Sequence, residues 1–215
     1  MQKKILLLAL LPCCGAAWAD TEKGWFIKPV AGISQMSSTE GNSVGVGAQN
    51  GLFDVDLSSG FFAGLGVGYR YNANISAEFS WEYRSNDSET TLADGTLFSD
   101  GNYASSIFYM NGYYHFENDN RWTPYLGLGL GWIQEIDIDL EGMGPEQSYS
   151  GDGEIGFQAM FGLQYDLSEN WTFNTELRYA RFSSIDLEGE EAASGRINDL
   201  DYDPVTLGIG LSYYF

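Results

Sequence analysis

The sequence predicts an all-β fold, an eight-stranded antiparallel up-and-down transmembrane β-barrel, on three observations. Alternation of apolar with small or polar residues recurs eight times, in runs that match the roughly 9 to 11 tilted residues of a membrane-spanning strand. Connections between these runs alternate short and long along the chain. The N-terminus has the layout of an export leader.

In the leader, Lys3 and Lys4 precede an apolar run from Ile5 to Leu11, and Ala17-Trp18-Ala19 puts small residues at the cleavage spacing. This predicts a signal peptide over 1–19, cut before Asp20, and a barrel domain over 20–215. The apolar run falls well short of the roughly 20 residues that a transmembrane helix needs. Both cysteines, Cys13 and Cys14, lie in the leader, so the mature chain is expected to carry no thiol or disulfide. Lipid modification of Cys14 is disfavoured, because Pro12 and Cys13 are poor residues to precede it.

The first strand is expected near Gly24 to Ser34, with Trp25, Ile27 and Ile33 outward and Lys28 inward. The second, about Phe61 to Tyr71, sets Leu65, Val67 and Tyr69 against Gly64, Gly66, Gly68 and Arg70. In the third, about Ile75 to Arg84, Ala77, Phe79, Trp81 and Tyr83 alternate with Glu78, Ser80, Glu82 and Arg84. The fourth, near Tyr103 to Phe116, has Phe108, Met110, Tyr114 and Phe116 on one face and Tyr109, Asn111, Tyr113 and His115 on the other.

The fifth strand, Trp122 to about Ile138, places Leu126, Leu128, Leu130 and Trp132 outward against Tyr125 and three glycines. The sixth, Glu154 to about Tyr165, sets Ile155, Phe157, Phe161, Leu163 and Tyr165 against Gln158, Met160 and Gln164. The seventh, Trp171 to about Phe182, sets Trp171, Phe173, Leu177 and Tyr179 against Asn174, Glu176 and Arg178. Arg181 falls on its lipid face, which requires a place at the interface where the side chain snorkels to water. In the eighth, Val205, Leu207, Ile209, Leu211, Tyr213 and Phe215 alternate with Thr206, Gly208, Gly210, Ser212 and Tyr214.

The short connections are Asn72 to Asn74, Glu117 to Arg121 and Asp166 to Asn170; the long ones are roughly Met36 to Gly60, Ser85 to Asn102, Asp139 to Gly153 and Ser183 to Asp203. Short periplasmic turns and long external loops are the layout of outer-membrane barrels, and an even strand count returns both ends to the periplasm. A soluble ligand-holding barrel would fill its interior with apolar side chains. Here charges recur on the small-residue face, aromatics gather near strand ends and an export signal is present, which favours the membrane.

Three phrases carry a family resemblance: Gly24-Trp25-Phe26 opening the first strand, Thr123-Pro124-Tyr125-Leu126-Gly127 opening the fifth, and the terminal Tyr213-Tyr214-Phe215. With the strand layout, the chain resembles the outer-membrane β-barrel superfamily that includes the transmembrane domain of outer-membrane protein A and the small X, W and opacity-type proteins. The resemblance implies a fold and an outer-membrane location, and the family is diverse in activity. It also implies that Leu211, Tyr213 and Phe215 form the terminal signal recognised by the barrel-assembly machinery.

The chemistry on offer is mainly charge. Lys28, Arg70, Arg84 and Arg178 face Glu78, Glu82 and Glu176 inside a barrel just wide enough to be filled by side chains. Charges in so narrow a space must be paired, as a packed polar plug or along a gated water path. The four long loops hold 18 of the 30 acids and a single basic residue, Arg196, so the outer surface should be strongly negative. Similar pieces end strands five and seven, Ile138-Asp139-Leu140-Glu141-Gly142 and Ile185-Asp186-Leu187-Glu188-Gly189. Both are expected to keep the alternation of the strand before them and to project beyond the bilayer with their carboxylates on one face.

Net charge of −20 disfavours nucleic acid as a partner. Asp137-Ile138-Asp139-Leu140-Glu141-Gly142 superficially matches a calcium loop, but Ser148 stands where the bidentate glutamate belongs, leaving only loose divalent-cation binding by acidic loops. His115 is the only histidine and falls near the periplasmic end, so nucleophilic catalysis on outer-leaflet lipid lacks a base. No phosphate loop, zinc spacing or dinucleotide fingerprint occurs, and no cofactor or metal is expected. The leading expectation is a non-enzymatic barrel whose acidic loops serve envelope integrity or contact an external ligand. A small-solute channel is the competing reading, and a lipid-modifying enzyme the third.

Overall fold

Strict alternation over long stretches, with few prolines to interrupt hydrogen-bonded ladders, builds one continuous antiparallel sheet. The computed structural model describes residues 24–46, 49–141, 147–190 and 193–215; the predicted leader, with both cysteines, lies outside them. Twelve strands occur among the described residues: β1 (Trp25–Gln35), β2 (Thr39–Val46), β3 (Gln49–Arg70), β4 (Ile75–Thr91), β5 (Leu97–Phe98), β6 (Asp100–His115), β7 (Trp122–Glu141), β8 (Gln147–Gly151), β9 (Ile155–Asp166), β10 (Trp171–Gly189), β11 (Arg196–Tyr202) and β12 (Val205–Tyr214).

Eight of them close a ring in the order β1, β3, β4, β6, β7, β9, β10, β12. β12 pairs back onto β1 from Phe26↔Tyr214 to Gln35↔Val205, so the barrel has no free edge. These eight are the predicted strands, with the predicted facing. Trp25, Ile33, Met110, Leu128, Ile155 and Ile209 are exposed, while Lys28, Glu78, Tyr109, Gln158, Glu176 and Thr206 are buried. From Trp122 to Trp132 the chain climbs about 24 Å, taking ~3.4 Å per residue and a ~45° tilt, which matches the apolar band of an outer-membrane barrel. Short turns close the lower end; in one, Asn72 Oδ1 accepts from the backbone N–H of Asn74 and Ile75 at 2.9 and 2.8 Å.

Aromatics girdle both rims. At the lower one, Trp171 packs on Tyr213 and Tyr213 on Phe215, with ring centroids 4.8 and 5.2 Å apart. Phe79, Phe108 and Trp132 stack across β4, β6 and β7 at 5.6 and 6.1 Å, a file that rises along the outer face to Trp132 at the upper rim. Trp132, Trp171 and Tyr213, with an apolar body and a polar tip, suit the rims, where one side meets lipid and the other meets water. Arg181 sits at the upper rim, exposed and 3.6 Å from Asp201, as snorkelling requires.

The long connections differ from expectation, because much of their length is sheet. β3 begins at Gln49, β4 runs to Thr91, β7 to Glu141 and β10 to Gly189; β2, β5, β8 and β11 pair onto these extensions. The expectation that the two Ile-Asp-Leu-Glu-Gly pieces keep the alternation below them is also corrected. A bulge in β7 leaves Gln134 without a partner between Ile133↔Ile107 and Glu135↔Ser106. Another in β10 separates Phe182↔Tyr202 from Ile185↔Leu200, with Ser184 at φ 58°. A third interrupts β3 between Leu57 and Gly60.

One extra residue reverses every side chain beyond it. Ile136, Ile138 and Leu140, which continued alternation would expose, turn inward, as do Ile185 and Leu187. With Phe53, Val55, Phe182, Ile197 and Leu200 they form an apolar core above the membrane band. On β3, β7 and β10 the pleat thus changes above the membrane band, while β4 keeps its alternation throughout. Below, the outside is lipid and apolar side chains face out; above, the outside is water and they face in. The molecule is a membrane barrel continued upward by a cap built like a soluble one.

Candidate functional site

Inside the membrane band the even-numbered faces of β1, β4 and β10 project charges toward the axis. Lys28 Nζ lies 2.7 Å from a Glu78 carboxylate oxygen and donates to the Tyr113 hydroxyl at 3.2 Å; that hydroxyl donates to Glu78 at 3.0 Å. Glu82 is bound by two guanidinium groups, Arg84 at 2.6 Å and Arg178 on its other oxygen. Arg178 also holds Glu176, which accepts from the Tyr125 hydroxyl at 2.8 Å. Three cations thus meet three carboxylates, and all six are buried.

The rest of the interior packs around them. The Phe62 ring lies under both guanidinium groups, 5.5 Å from Arg84 and 5.4 Å from Arg178. Asn111 donates to Ser80 at 3.1 Å and accepts from Gln158 at 2.7 Å. Inward glycines make room for large neighbours: a Cβ on Gly162 would stand 2.4 Å from the Tyr125 hydroxyl. Two small cavities remain here, about 20 Å³ between Lys28, Glu78, His115 and Tyr214 and about 10 Å³ beside Glu176 and Arg178. Each is close to the size of a single water.

Six of the seven predicted interior charges therefore meet, and the seventh does not. Arg70 is buried at the periplasmic mouth, where it pairs with Glu117 and donates to the Ala73 carbonyl at 2.5 Å. It stands apart because it is the last residue of β3, at the turn end, below the level of Glu82 and Glu176. Glu117, which the sequence reading assigned only to a turn, is its counter-ion. Leu211, Tyr213 and Phe215 line up on the outer face of β12 at the lower rim, Phe215 largely exposed. His115 is in the interior, its Nε2 2.9 Å from Ser76 Oγ.

The cap carries the negative surface. A groove of about 560 Å³ on its outside is lined by Glu135, Asp152, Asp186, Glu188 and Glu190 of the β7, β8 and β10 region. Beside it, partial burial, then Asp139, Glu135 and Glu190, push the Asp137 carboxyl up to about 7. Among the described residues no three carboxylate or imidazole groups converge to hold a metal ion. The apolar core beneath this surface was missed in the sequence, although a signal exists: Ile133 to Ile136 and Phe182 to Ile185 are spaced by three where the strand period is two.

Residues 5–215 match the family model described as outer membrane protein beta-barrel domain. The chain belongs to that family, and its place is the outer membrane. Outer membrane protein W of Vibrio cholerae is 25% identical over the whole length of both chains. Outer membrane protein AlkL of Ectopseudomonas oleovorans is 25% identical over 75% of this chain and 69% of its own. Among solved structures, the outer membrane protein OprG from Pseudomonas aeruginosa superposes with a TM-score of 0.62 at 15% identity, covering 91% of this chain and 99% of that one. The outer membrane protease OmpT of Escherichia coli also superposes, at 0.52 and 9% identity, so this fold supports catalysis in some chains and does not by itself define activity.

Proposed function

We propose that this barrel is a non-enzymatic, ion-tight membrane anchor that holds a folded acidic cap at the cell surface, in support of envelope integrity or of contact with an external ligand. The observation that carries the reading is the neutral, mutually paired set of three cations and three carboxylates across the bore. An open pore through such charges would need them solvated, whereas here they are buried and bonded to one another. The lone histidine is packed inside, away from the acidic groove, which supports the non-enzymatic part. Divalent cations would gather at the cap as a diffuse atmosphere around dispersed carboxylates, and a basic external ligand would be steered to the same face.

Three further assignments belong to the same proposal. Residues 1–19 are removed on export, the mature barrel is residues 20–215, and Leu211, Tyr213 and Phe215 are read by the barrel-assembly machinery. Single-channel recording of the refolded mature protein in a planar bilayer tests the central claim. A silent, heat-modifiable barrel is the expected result. Steady openings that change with Glu78→Ala would overturn it in favour of the small-solute channel.

A further inference from the structure

Above the Glu82–Arg84 pair the inner face of β4 continues with Asn86, Ser88 and Thr90, each buried. They cut a polar line through the otherwise apolar interior of the cap. Asn86 Nδ2 donates to the carbonyls of Ser34 at 3.2 Å and Ser58 at 2.8 Å, but its Oδ1 accepts nothing from the protein. Ser88 Oγ, Thr90 Oγ1, Ser34 Oγ and the Tyr103 hydroxyl are likewise buried without a protein partner.

The residues that carry these atoms lie on neighbouring stretches of β1, β4 and β6. Tyr103 is the register partner of Asn86 on β6, and Ser34 is bonded to Asn86 through its carbonyl. Gly101 leaves the wall beside Ser88 without a side chain; a Cβ there would stand 3.1 Å from Ser88 Oγ. One unpaired hydroxyl in a dry core is costly, and five such polar atoms, three on the inner face of β4 and one each on β1 and β6, compound that cost. Buried polar atoms of this kind are ordinarily satisfied by water held with two to four hydrogen bonds.

We propose that Ser34, Asn86, Ser88, Thr90 and Tyr103 bind a file of buried water molecules that runs along β4 through the cap and ends at the Arg84–Glu82 ion pair. At ~3.4 Å per residue the line from Arg84 to Thr90 is about 20 Å long. It carries water to the outer edge of the ion-pair network, whose charges stay bonded to one another, while the apolar side chains around it keep hydrated ions out. This inference does not depend on the anchor reading, since a conducting barrel could hold the same waters.

Water-edited solid-state NMR of the isotope-labelled mature protein in lipid bilayers tests it directly. Polarisation from water is expected to reach the Thr90 side chain and the Asn86 amide at rates close to those of exposed cap residues, well ahead of the Ile136 and Leu187 methyls. Build-up at Thr90 as slow as at Ile136 would overturn the proposal. Thr90→Val, which keeps the shape and removes the hydroxyl, supplies a second measurement. Loss of a water-satisfied hydrogen bond should lower the folding equilibrium constant about fivefold. An unchanged or raised constant would mean that the hydroxyl had no partner to lose. Should the variant fail to fold, the measurement on the unaltered chain stands by itself.

Discussion

Glu82→Gln is the most informative single change in the interior. Its two oxygens are held by Arg84 at 2.6 Å and by Arg178, and the six buried charges balance. The amide is nearly isosteric, so packing is preserved while one negative charge is lost. Arg178 would keep Glu176, and Arg84 would lose its carboxylate partner. Removing one partner of a fully buried ion pair costs about 3–5 kcal/mol, because the remaining charge stays desolvated. With a urea slope of ~2 kcal/mol per M, the unfolding midpoint should fall by roughly 2 M. Unfolding in detergent micelles or bilayers, followed by tryptophan fluorescence and by heat-modifiable gel mobility, reads this directly. Restoring neutrality with Glu82→Met and Arg84→Met together should recover part of the loss, since this leaves Arg178 paired with Glu176 and a buried pair replaced by apolar side chains is often tolerated. A shift below about 1 kcal/mol, the range of solvated surface pairs, would refute the reasoning and mark the bore as wet and screened.

Other expectations follow from the same geometry. The Asp137 carboxyl is pushed up to about 7 in the folded cap from an ordinary value of 3.8, so the folded state binds the proton more tightly than the unfolded one. Its contribution should therefore favour the cap below pH 4, weaken as pH rises from about 4 to 7, and be lost above that window; Asp137→Asn should remove this slope when hydrogen exchange of β7 and β8 is compared at pH 5 and 8. Deleting Gln134 removes the β7 bulge and should turn Ile136, Ile138 and Leu140 outward, leaving a heat-modifiable membrane barrel whose cap is cut readily by added protease. A cap of unchanged protease resistance would show that the bulge does not set the pleat. Phe215→Ala removes an exposed ring that packs on Tyr213 at 5.2 Å and little else, so the purified barrel should stay stable while its yield in the outer membrane of cells falls. Normal surface yield would count against the assembly signal.

The membrane half was legible because lipid imposes one rule on every strand. Apolar side chains must face out along the whole span, so Leu126, Leu128, Leu130 and Trp132, or Val205 through Phe215, could be assigned to a face from alternation alone. The inward position of Lys28, Glu78, Glu82, Glu176 and Arg178 followed, and a narrow bore required them to pair. Local order did not say which charge meets which. Arg178 joins Glu82 across the bore, while Arg70 turns away to Glu117, because strand stagger around the closed ring sets their heights.

Above the membrane the same alternation led to the wrong face. Gln134, Ser183 and Ser184 look like ordinary polar positions in sequence, and only their pairing reveals the extra residue that reverses Ile136, Ile138, Ile185 and Leu187. The reversal depends on where the strand leaves lipid for water, a boundary set by the height of the assembled barrel. Period and polarity along the chain therefore determined the strands, the ring and its charged interior. Tertiary structure alone decided the partners within that interior and the inverted pleat of the cap, since both depend on which residues of distant strands stand at the same depth.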